Sequence, residues 1–169
     1  MVIVVMGPAG SGKSLVGARL AAALGWAFHE GDLLHPAENV ARMRAGLALG
    51  DGERAPWLAR LAALVARCLA EGTPAVLTCS ALRVGYRRAL VPAGAPVGAV
   101  AFAYLHAAPE VLEARLAARA GHFFAPTLLA SQLAALEPPG DDEPAAVATV
   151  DADATPDAVV DAVRAALGV

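Results

Sequence analysis

Residues 7–14, Gly7-Pro8-Ala9-Gly10-Ser11-Gly12-Lys13-Ser14, match the pattern G-x-x-x-x-G-K-[ST] of the phosphate-binding P-loop. The five residues before this stretch, 2–6, form an apolar, β-branched run that is typical of a buried strand. Residues 15–24 after it are Ala-rich with helical spacing, and Gly25 is a suitable helix stop. The pattern therefore lies between a strand and a helix, the context in which it binds a nucleoside triphosphate.

The residue types of this loop suit a bound phosphate chain. Its three glycines permit backbone angles and close approaches that a Cβ atom would block. The loop N–H groups and the helix N-terminus would surround the anion, Lys13 would reach the β- and γ-phosphates, and the Ser14 hydroxyl would ligate Mg²⁺. A chance Gly-rich turn is the alternative, which the complete motif disfavours. The predicted nucleotide contacts in this loop are Gly7, Gly10, Ser11, Gly12, Lys13, Ser14 and Leu15.

Composition excludes several classes of protein. With 169 residues, 57% hydrophobic and 17% charged, the chain is long and apolar enough for one globular domain with a core. A net charge of −3 argues against nucleic acid as the main partner. Cys68 and Cys79 belong to no metal-binding pattern, no histidine pair has HExxH spacing, and we expect two buried, reduced thiols and no zinc site. Without an address signal or a membrane-length apolar run, we expect a cytoplasmic protein.

Strand patterns alternate with helical ones along the whole chain. This alternation predicts an α/β fold with a parallel sheet covered on both faces. The predicted strands are residues 2–6, 75–79, 97–105 and 146–150, and residues 26–32 are predicted as a short strand that ends in a loop. The predicted helices are residues 15–24, 36–45, 53–70, 109–119 and 127–136, and residues 80–90 are predicted as a turn followed by a helix. A last helix has Thr155 as its N-cap and Pro156 at its first position.

Ligands of an open parallel sheet bind at the carboxyl ends of its strands. The turn after the second predicted strand contains Asp32 and His35, and the turn after the third begins with Ser80. Asp32 would therefore lie opposite the P-loop, where it could orient an acceptor hydroxyl and take its proton, or hold a Mg²⁺-bound water. A helix cap is the alternative role of this aspartate.

The arginines supply candidates for an anionic ligand. Arg54 lies at a helix start, where the helix dipole disfavours a cation, so a ligand or carboxylate partner is expected. Arg87 and Arg88 follow the third strand, and one of them could face the crevice. Arg115 and Arg119 lie four residues apart before Gly121-His122-Phe123-Phe124 and could deliver a cation from a mobile lid. Solvent exposure is the alternative for this last pair.

Segments outside the P-loop carry a family resemblance, and they are specific in combination. The chain resembles the bacterial-type gluconokinases, small P-loop enzymes that use ATP to phosphorylate D-gluconate at its 6-hydroxyl. The segments are Glu30-Gly31-Asp32-Leu33-Leu34-His35-Pro36, Asn39, Met43, Gly46, Arg54-Ala55-Pro56-Trp57-Leu58, Cys79-Ser80-Ala81-Leu82, Tyr86-Arg87, Arg119, Gly121-His122-Phe123, Ser131-Gln132 and Leu136-Glu137.

The resemblance implies a three-layer P-loop kinase fold like that of nucleoside monophosphate kinases, with a five-stranded parallel sheet. It implies a single domain over residues 1–169, a helical lid at about residues 115–137, and a homodimer. ATP and Mg²⁺ would be the cofactors and gluconate the substrate. The implied catalytic residues are Lys13, Asp32 and Arg119, with Arg115 and Arg119 also at the nucleotide. The implied substrate contacts are Asp32, His35, Arg54, Ser80, Arg87 and His122.

Some positions depart from the family's usual pattern. Arg42 and Arg83 replace lysines, Ala48 replaces a common proline, and Gly52-Glu53 replaces two aspartates. None of these changes removes a predicted catalytic group, so they bear on substrate affinity more than on reaction class.

Two other functions stay open at this point. A related small kinase for shikimate is one, because shikimate is also a polyhydroxy carboxylate; a nucleotide acceptor is disfavoured by the low aromatic content of 5%. A nucleotide-binding regulator is the other, although the guanine-reading N-K-x-D motif is absent from the sequence.

Overall fold

A computed structural model describes residues 1–118 and 126–169. In these residues five strands form one sheet, in which every neighbouring pair is parallel. The strand order is β2-β3-β1-β4-β5, so β1 lies at the centre and the chain crosses over between strands. The predicted α/β fold with a five-stranded parallel sheet is confirmed. The strands are β1 (Val2–Met6), β2 (Ala27–Glu30), β3 (Ala75–Thr78), β4 (Val100–His106) and β5 (Ala146–Asp151).

Helices connect successive strands, as parallel pairing requires. They are α1 (Lys13–Leu24), α2 (Ala37–Arg44), α3 (Asp51–Ala70), α4 (Val84–Leu90), α5 (Pro109–Ala117), α6 (Pro126–Ala135) and α7 (Pro156–Leu167), with one 3₁₀ turn at Gly31–Leu34. The predicted stop at Gly25 and the predicted cap at Thr155 are confirmed, since Gly25 is left-handed and the Thr155 hydroxyl accepts from the Ala158 N–H. None of the helices described is long and apolar enough to cross a membrane.

One predicted boundary near the carboxyl edge of the sheet was wrong, and two predicted turns lie there as expected. The second strand ends at Glu30, and a 3₁₀ turn forms the predicted turn that follows it. Helix α3 begins at Asp51 rather than residue 53, because the Glu53 carboxylate accepts from the Gly50 N–H at 2.8 Å and supports an earlier first turn. Helix α4 begins at Val84, and residues 80–83 before it form the predicted turn after β3.

Two apolar layers hold the sheet between the helices. Trp57 and Leu61 of α3 pack on one face, and Leu20 of α1 packs with Val163 of α7 on the other. All five residues of β1 are buried, and each large apolar side chain removed from water contributes roughly 2 kcal/mol. The sheet is therefore a rigid support for the loops at its carboxyl edge. Cys68 and Cys79 are free and buried, as the sequence predicts.

Candidate active site

A cavity of about 780 Å³ opens at the carboxyl edge of the sheet. Its lining combines residues 9–15 of the P-loop and α1 with side chains from the turn after β2, the start of α3, the turn after β3, α5 and α6. Of the predicted site residues, the cavity brings together Gly10, Ser11, Gly12, Lys13, Ser14, Leu15, Asp32, His35, Arg54, Ser80 and Arg115. The residues predicted to bind the phosphoryl donor and those predicted to bind the phosphoryl acceptor therefore line the same cavity.

The P-loop is folded tightly against α5. Gly10 has a φ of +83°, and a Cβ atom there would lie 2.8 Å from the Leu112 carbonyl oxygen. Only glycine fits this position without moving backbone. Gly7 does not line the cavity, but its N–H donates to the Ser80 carbonyl at 3.2 Å and joins the P-loop to the turn after β3. The role of Gly7 in the described structure is thus to hold the two loops together.

The first turn of α1 presents an electropositive end to the cavity. Lys13 and Ser14 begin this helix, and no acidic residue lies in its first turn. The Lys13 Nζ donates to the Pro8 carbonyl at 2.9 Å, which curls the side chain over the loop. The Ser14 side chain is exposed toward the cavity. Backbone N–H groups, an ammonium and a hydroxyl meet here, which is the donor set that a phosphate chain requires.

Asp32 reaches the cavity from the 3₁₀ turn after β2. Its neighbour Gly31 is buried, and the Gly31 N–H donates to the Thr78 hydroxyl at 3.1 Å. The Trp57 indole N–H donates to the Gly31 carbonyl at 2.8 Å from the other side. Because both polar groups of Gly31 are held, the exposed carboxylate of Asp32 projects from a fixed backbone.

His35 lies at the end of the same turn, with its ring against Trp57. The two ring centroids are 4.2 Å apart and the planes differ by 12°, a stacked arrangement. Burial lowers the pKa of His35 below its usual value, the positive charge of Arg54 adds to this, and Asp32 opposes it. The imidazole is therefore neutral at physiological pH.

Arg54 supplies a positive charge to the part of the cavity that contains Asp32 and His35. The two carboxylates nearby are paired with other arginines: Asp51 lies 2.9 Å from Arg83, and Glu53 lies 3.8 Å from Arg42. The Tyr86 hydroxyl donates to Asp51, and this bond is the main reason that the pKa of Asp51 is lowered. Arg54 donates to the Tyr86 hydroxyl at 3.5 Å, but no carboxylate among the described residues forms an ion pair with it. Because Arg54 also lines the cavity, its guanidinium can pair with an anionic ligand.

The turn after β3, residues 80–83, is fixed by three other parts of the chain. The carbonyl of Ser80 accepts from Gly7, that of Ala81 accepts from Arg87 at 3.0 Å, and that of Leu82 accepts from the Glu137 N–H at 2.8 Å. Ala81 has a φ of +43°, an unusual angle for a residue with a Cβ atom. These contacts hold Ser80 at the cavity wall.

Arg87 is not brought to the cavity, which corrects the prediction that it contacts the substrate. Its side chain is 1% exposed, and its guanidinium forms two 2.6 Å bonds with the carboxylate of Glu143. The neighbouring Arg88 is exposed and donates to the Asp142 carbonyl, so neither arginine of α4 faces the crevice. Arg87 instead supports the turn that carries Ser80.

The structure describes only part of the segment predicted to be a lid, residues 115–118 and 126–137. Arg115 lines the cavity and donates to the Ala152 carbonyl at 2.8 Å, beside the loop between β5 and α7. Arg119 and His122 lie outside the described residues, and their predicted roles stay predictions.

Three site residues had no assigned role in the sequence analysis. Asn39 donates to His35, Trp57 stacks on it, and the Gln132 side chain accepts from the Ala9 N–H at 2.7 Å. Each appears in a segment that carries the family resemblance, but its contact joins residues from separate elements. Local patterns contain no signal for such contacts.

Comparisons with known proteins show which family this chain belongs to. A family model described as an AAA domain matches residues 2–139. A gluconokinase from Gluconobacter oxydans (strain 621H) is 45% identical over 159 residues, which cover 94% of this chain and 86% of that protein. The chain belongs to the gluconokinase family. The thermoresistant gluconokinase of Escherichia coli (strain K12) is 40% identical over 84% of this chain and 79% of its own length.

Solved structures agree with membership of the gluconokinase family. A gluconokinase from Sinorhizobium meliloti 1021 is 42% identical with a TM-score of 0.81, covering 99% of this chain and 91% of that one. A shikimate kinase from Aquifex aeolicus vf5, at 19% identity and a TM-score of 0.60 over 99% of this chain and 96% of that one, shares the fold alone. The resemblance drawn from the sequence is therefore confirmed.

Proposed function

We propose that this protein transfers the γ-phosphoryl group of ATP to the 6-hydroxyl of D-gluconate. The observation that carries the proposal is that a complete P-loop, the Asp32 carboxylate and the Arg54 guanidinium open into one cavity. A phosphate site, a hydroxyl-directed carboxylate and a cation for a carboxylate are the groups that this reaction needs. Membership of the gluconokinase family supports the choice of gluconate.

The donor half of the reaction uses the P-loop. Backbone N–H groups of residues 10–15 and the Lys13 ammonium would bind the β- and γ-phosphates of ATP. Ser14 is the residue that would hold Mg²⁺ through its hydroxyl group. The exposure of Ser14 beside Lys13, at the cavity, fits this role. When bound, Mg²⁺ supplies charge neutralisation for the phosphate oxygens.

The acceptor half uses the turns after β2 and β3. Arg54 would pair with the gluconate carboxylate, and His35 and Ser80 would bind its hydroxyl groups. Asp32 would orient the 6-hydroxyl in line with the γ-phosphorus and accept its proton. The hydroxyl oxygen then bonds to phosphorus while the bond to the bridging oxygen of ADP breaks. Most of the rate enhancement would come from positioning and charge neutralisation.

The lid completes the proposal. Arg115 would contact the nucleotide, Arg119 would stabilise charge on the transferring phosphoryl group, and His122 would lie near the substrate. The lid is proposed to span about residues 115–137 of a single domain over residues 1–169. We also propose that the protein forms a homodimer, which light scattering tests. We propose that it lies in the cytoplasm, which cell fractionation tests.

A coupled assay of ADP release tests the function directly. Gluconate, shikimate, other sugar acids and nucleoside monophosphates are offered in parallel with ATP and Mg²⁺. We expect turnover with gluconate far above that with every other acceptor, and none in Lys13→Ala, whose fold is checked by circular dichroism. Activity restricted to shikimate or to a nucleotide would overturn the proposal.

A further inference from the structure

Asn39 of α2 has a fixed amide orientation. The residue is 4% exposed, and its amide nitrogen donates to the Glu53 carbonyl oxygen at 2.7 Å. A backbone carbonyl accepts hydrogen bonds and never donates them. The side-chain nitrogen, and not the side-chain oxygen, must therefore face Glu53.

The same amide nitrogen lies 3.3 Å from Nδ1 of His35. An amide nitrogen only donates, so the imidazole Nδ1 must accept and cannot carry a proton. A neutral imidazole that lacks a proton on Nδ1 carries it on Nε2. The Glu53 carbonyl thus determines the histidine tautomer through Asn39.

The imidazole is also held in its plane. Trp57 stacks on one face, and the Trp57 indole is itself anchored to the Gly31 carbonyl. Among the residues that the structure describes, no side chain or backbone group bonds to Nε2 of His35, and His35 lines the cavity. The Nε2–H group is therefore the polar edge of this ring that a ligand can meet.

We propose that Asn39 is a positioning residue that keeps His35 as the Nε2–H tautomer, so that His35 donates a hydrogen bond to an oxygen of the acceptor and does not act as the base. This inference rests on the proposed function for the identity of the acceptor. Within the acceptor site, His35 and Arg54 are then hydrogen-bond donors and Asp32 is the proton acceptor. Such a site selects a ligand that carries a carboxylate and further hydroxyl groups besides the reacting hydroxyl.

The charged groups around His35 favour the same state. Burial disfavours the imidazolium and is the main reason that the pKa of His35 is lowered. The charge of Asp32 raises this pKa in part, and the charge of Arg54 lowers it further. A lowered pKa keeps the ring neutral at and above its ordinary titration range near 6.5, so the donor tautomer persists at physiological pH.

Nitrogen NMR of the histidine rings tests the tautomer without any assay of activity. The spectrum of uniformly ¹⁵N-labelled protein distinguishes protonated from unprotonated ring nitrogens, and His35→Gln identifies the signals of His35 among the four histidines. At pH 8 we expect Nδ1 of His35 to be unprotonated and Nε2 protonated. A proton on Nδ1, or on both nitrogens, would overturn the proposal in the unmodified protein.

Asn39→Asp tests whether Asn39 sets this state. The carboxylate would accept from Nδ1–H, so we expect the proton to move to Nδ1 and the pKa of His35 to rise. Above the variant's own titration midpoint, KM for gluconate should rise about tenfold, as for one lost hydrogen bond, with kcat within threefold. Ala41→Asp, an exposed position on the same helix, adds the same charge and should change neither the spectrum nor KM.

The outcomes separate the two proposals. If Asn39→Asp folds and leaves the His35 spectrum unchanged, Asn39 does not set the tautomer; if the spectrum changes but KM does not, His35 is not a donor to the acceptor. Should the variant fail to fold, the spectrum of the unmodified protein still decides the tautomer. If no acceptor is phosphorylated, the proposed function fails while the ring spectra remain interpretable.

Discussion

Asp32 shows how one side chain is placed by its neighbours. Gly31, before it, lies so close to the end of β3 that a Cβ atom would be 1.9 Å from the Thr78 carbonyl oxygen. That approach lets the Gly31 N–H bond the Thr78 hydroxyl and fixes the backbone from which the carboxylate projects. The position of a candidate base is therefore determined by a residue that has no side chain.

Replacement of this carboxylate isolates its chemical role. Asp32→Asn keeps the size of the side chain but cannot accept the hydroxyl proton, so we expect kcat to fall at least about a hundredfold. Because Asp32 is exposed, the unfolding temperature should stay within a few degrees of the original. Steady-state kinetics with gluconate and a thermal melt measure both quantities.

The control for this substitution is Asp161→Asn on α7, an exposed aspartate that does not line the cavity. It should leave kcat unchanged. Near-normal turnover of Asp32→Asn would remove Asp32 from the role of base.

At the scale of elements, a buried ion pair joins α4 to the segment before β5. Arg87 and Glu143 are 1% and 8% exposed in their side chains, and the two bonds between them are both 2.6 Å. Arg87 also donates to the Ala81 carbonyl. The pair therefore links the segment that follows α6 with the turn that carries Ser80.

Loss of one member of this pair should be costly. Glu143→Met leaves a buried, uncompensated guanidinium, so we expect the free energy of unfolding to fall by about 3–5 kcal/mol in urea titrations. The double variant Arg87→Met, Glu143→Met removes both charges and should recover most of that loss. A double variant as unstable as Glu143→Met would show that the charges are not the cause.

An exposed pair gives the matched control. Arg19 and Asp157 also lie 2.6 Å apart, but their side chains are 44% and 80% exposed. Water and salt screen such a pair, so Arg19→Gln should cost at most about 1 kcal/mol.

At the scale of the whole molecule, distant parts of the chain meet on the P-loop. Gln132 of α6 accepts from the Ala9 N–H across 123 residues of sequence, and Leu112 of α5 packs behind Gly10. The P-loop is therefore supported by α5 and α6, and its conformation does not depend on residues 7–14 alone.

Removal of this contact should weaken nucleotide binding selectively. Gln132→Leu frees the Ala9 N–H, so we expect KM for ATP to rise about five- to tenfold, the cost of one hydrogen bond, with KM for gluconate little changed. Initial rates measured over both substrates decide this. Ala130→Leu, at an exposed position of the same helix, should leave both KM values unchanged; an equal rise in both would contradict a role confined to the nucleotide.

Much of the fold, and the P-loop side of the candidate site, can be predicted from residues that are close together in the sequence. The P-loop spacing, the apolar run in β1, the stop at Gly25 and the cap at Thr155 each depend on residues close together in the chain, where period and backbone preference act directly. For the same reason the strand-end rule predicts Asp32 and Ser80 at one edge, and both line the cavity.

The sequence by itself determined the class of fold, the phosphate site and the family, because each of these depends on the spacing of residues that are close together in the chain and on short motifs. Only the tertiary structure decided that Arg54 lines the cavity and that Arg87 does not. Arg87 forms an ion pair with Glu143, 56 residues away in the sequence. Arg54 has no carboxylate partner among the described residues, because Asp51 and Glu53 pair with other arginines. It also decided the proton position on His35, since the Glu53 carbonyl acts through Asn39. Contacts between distant residues depend on the packing of whole elements, which no local pattern specifies.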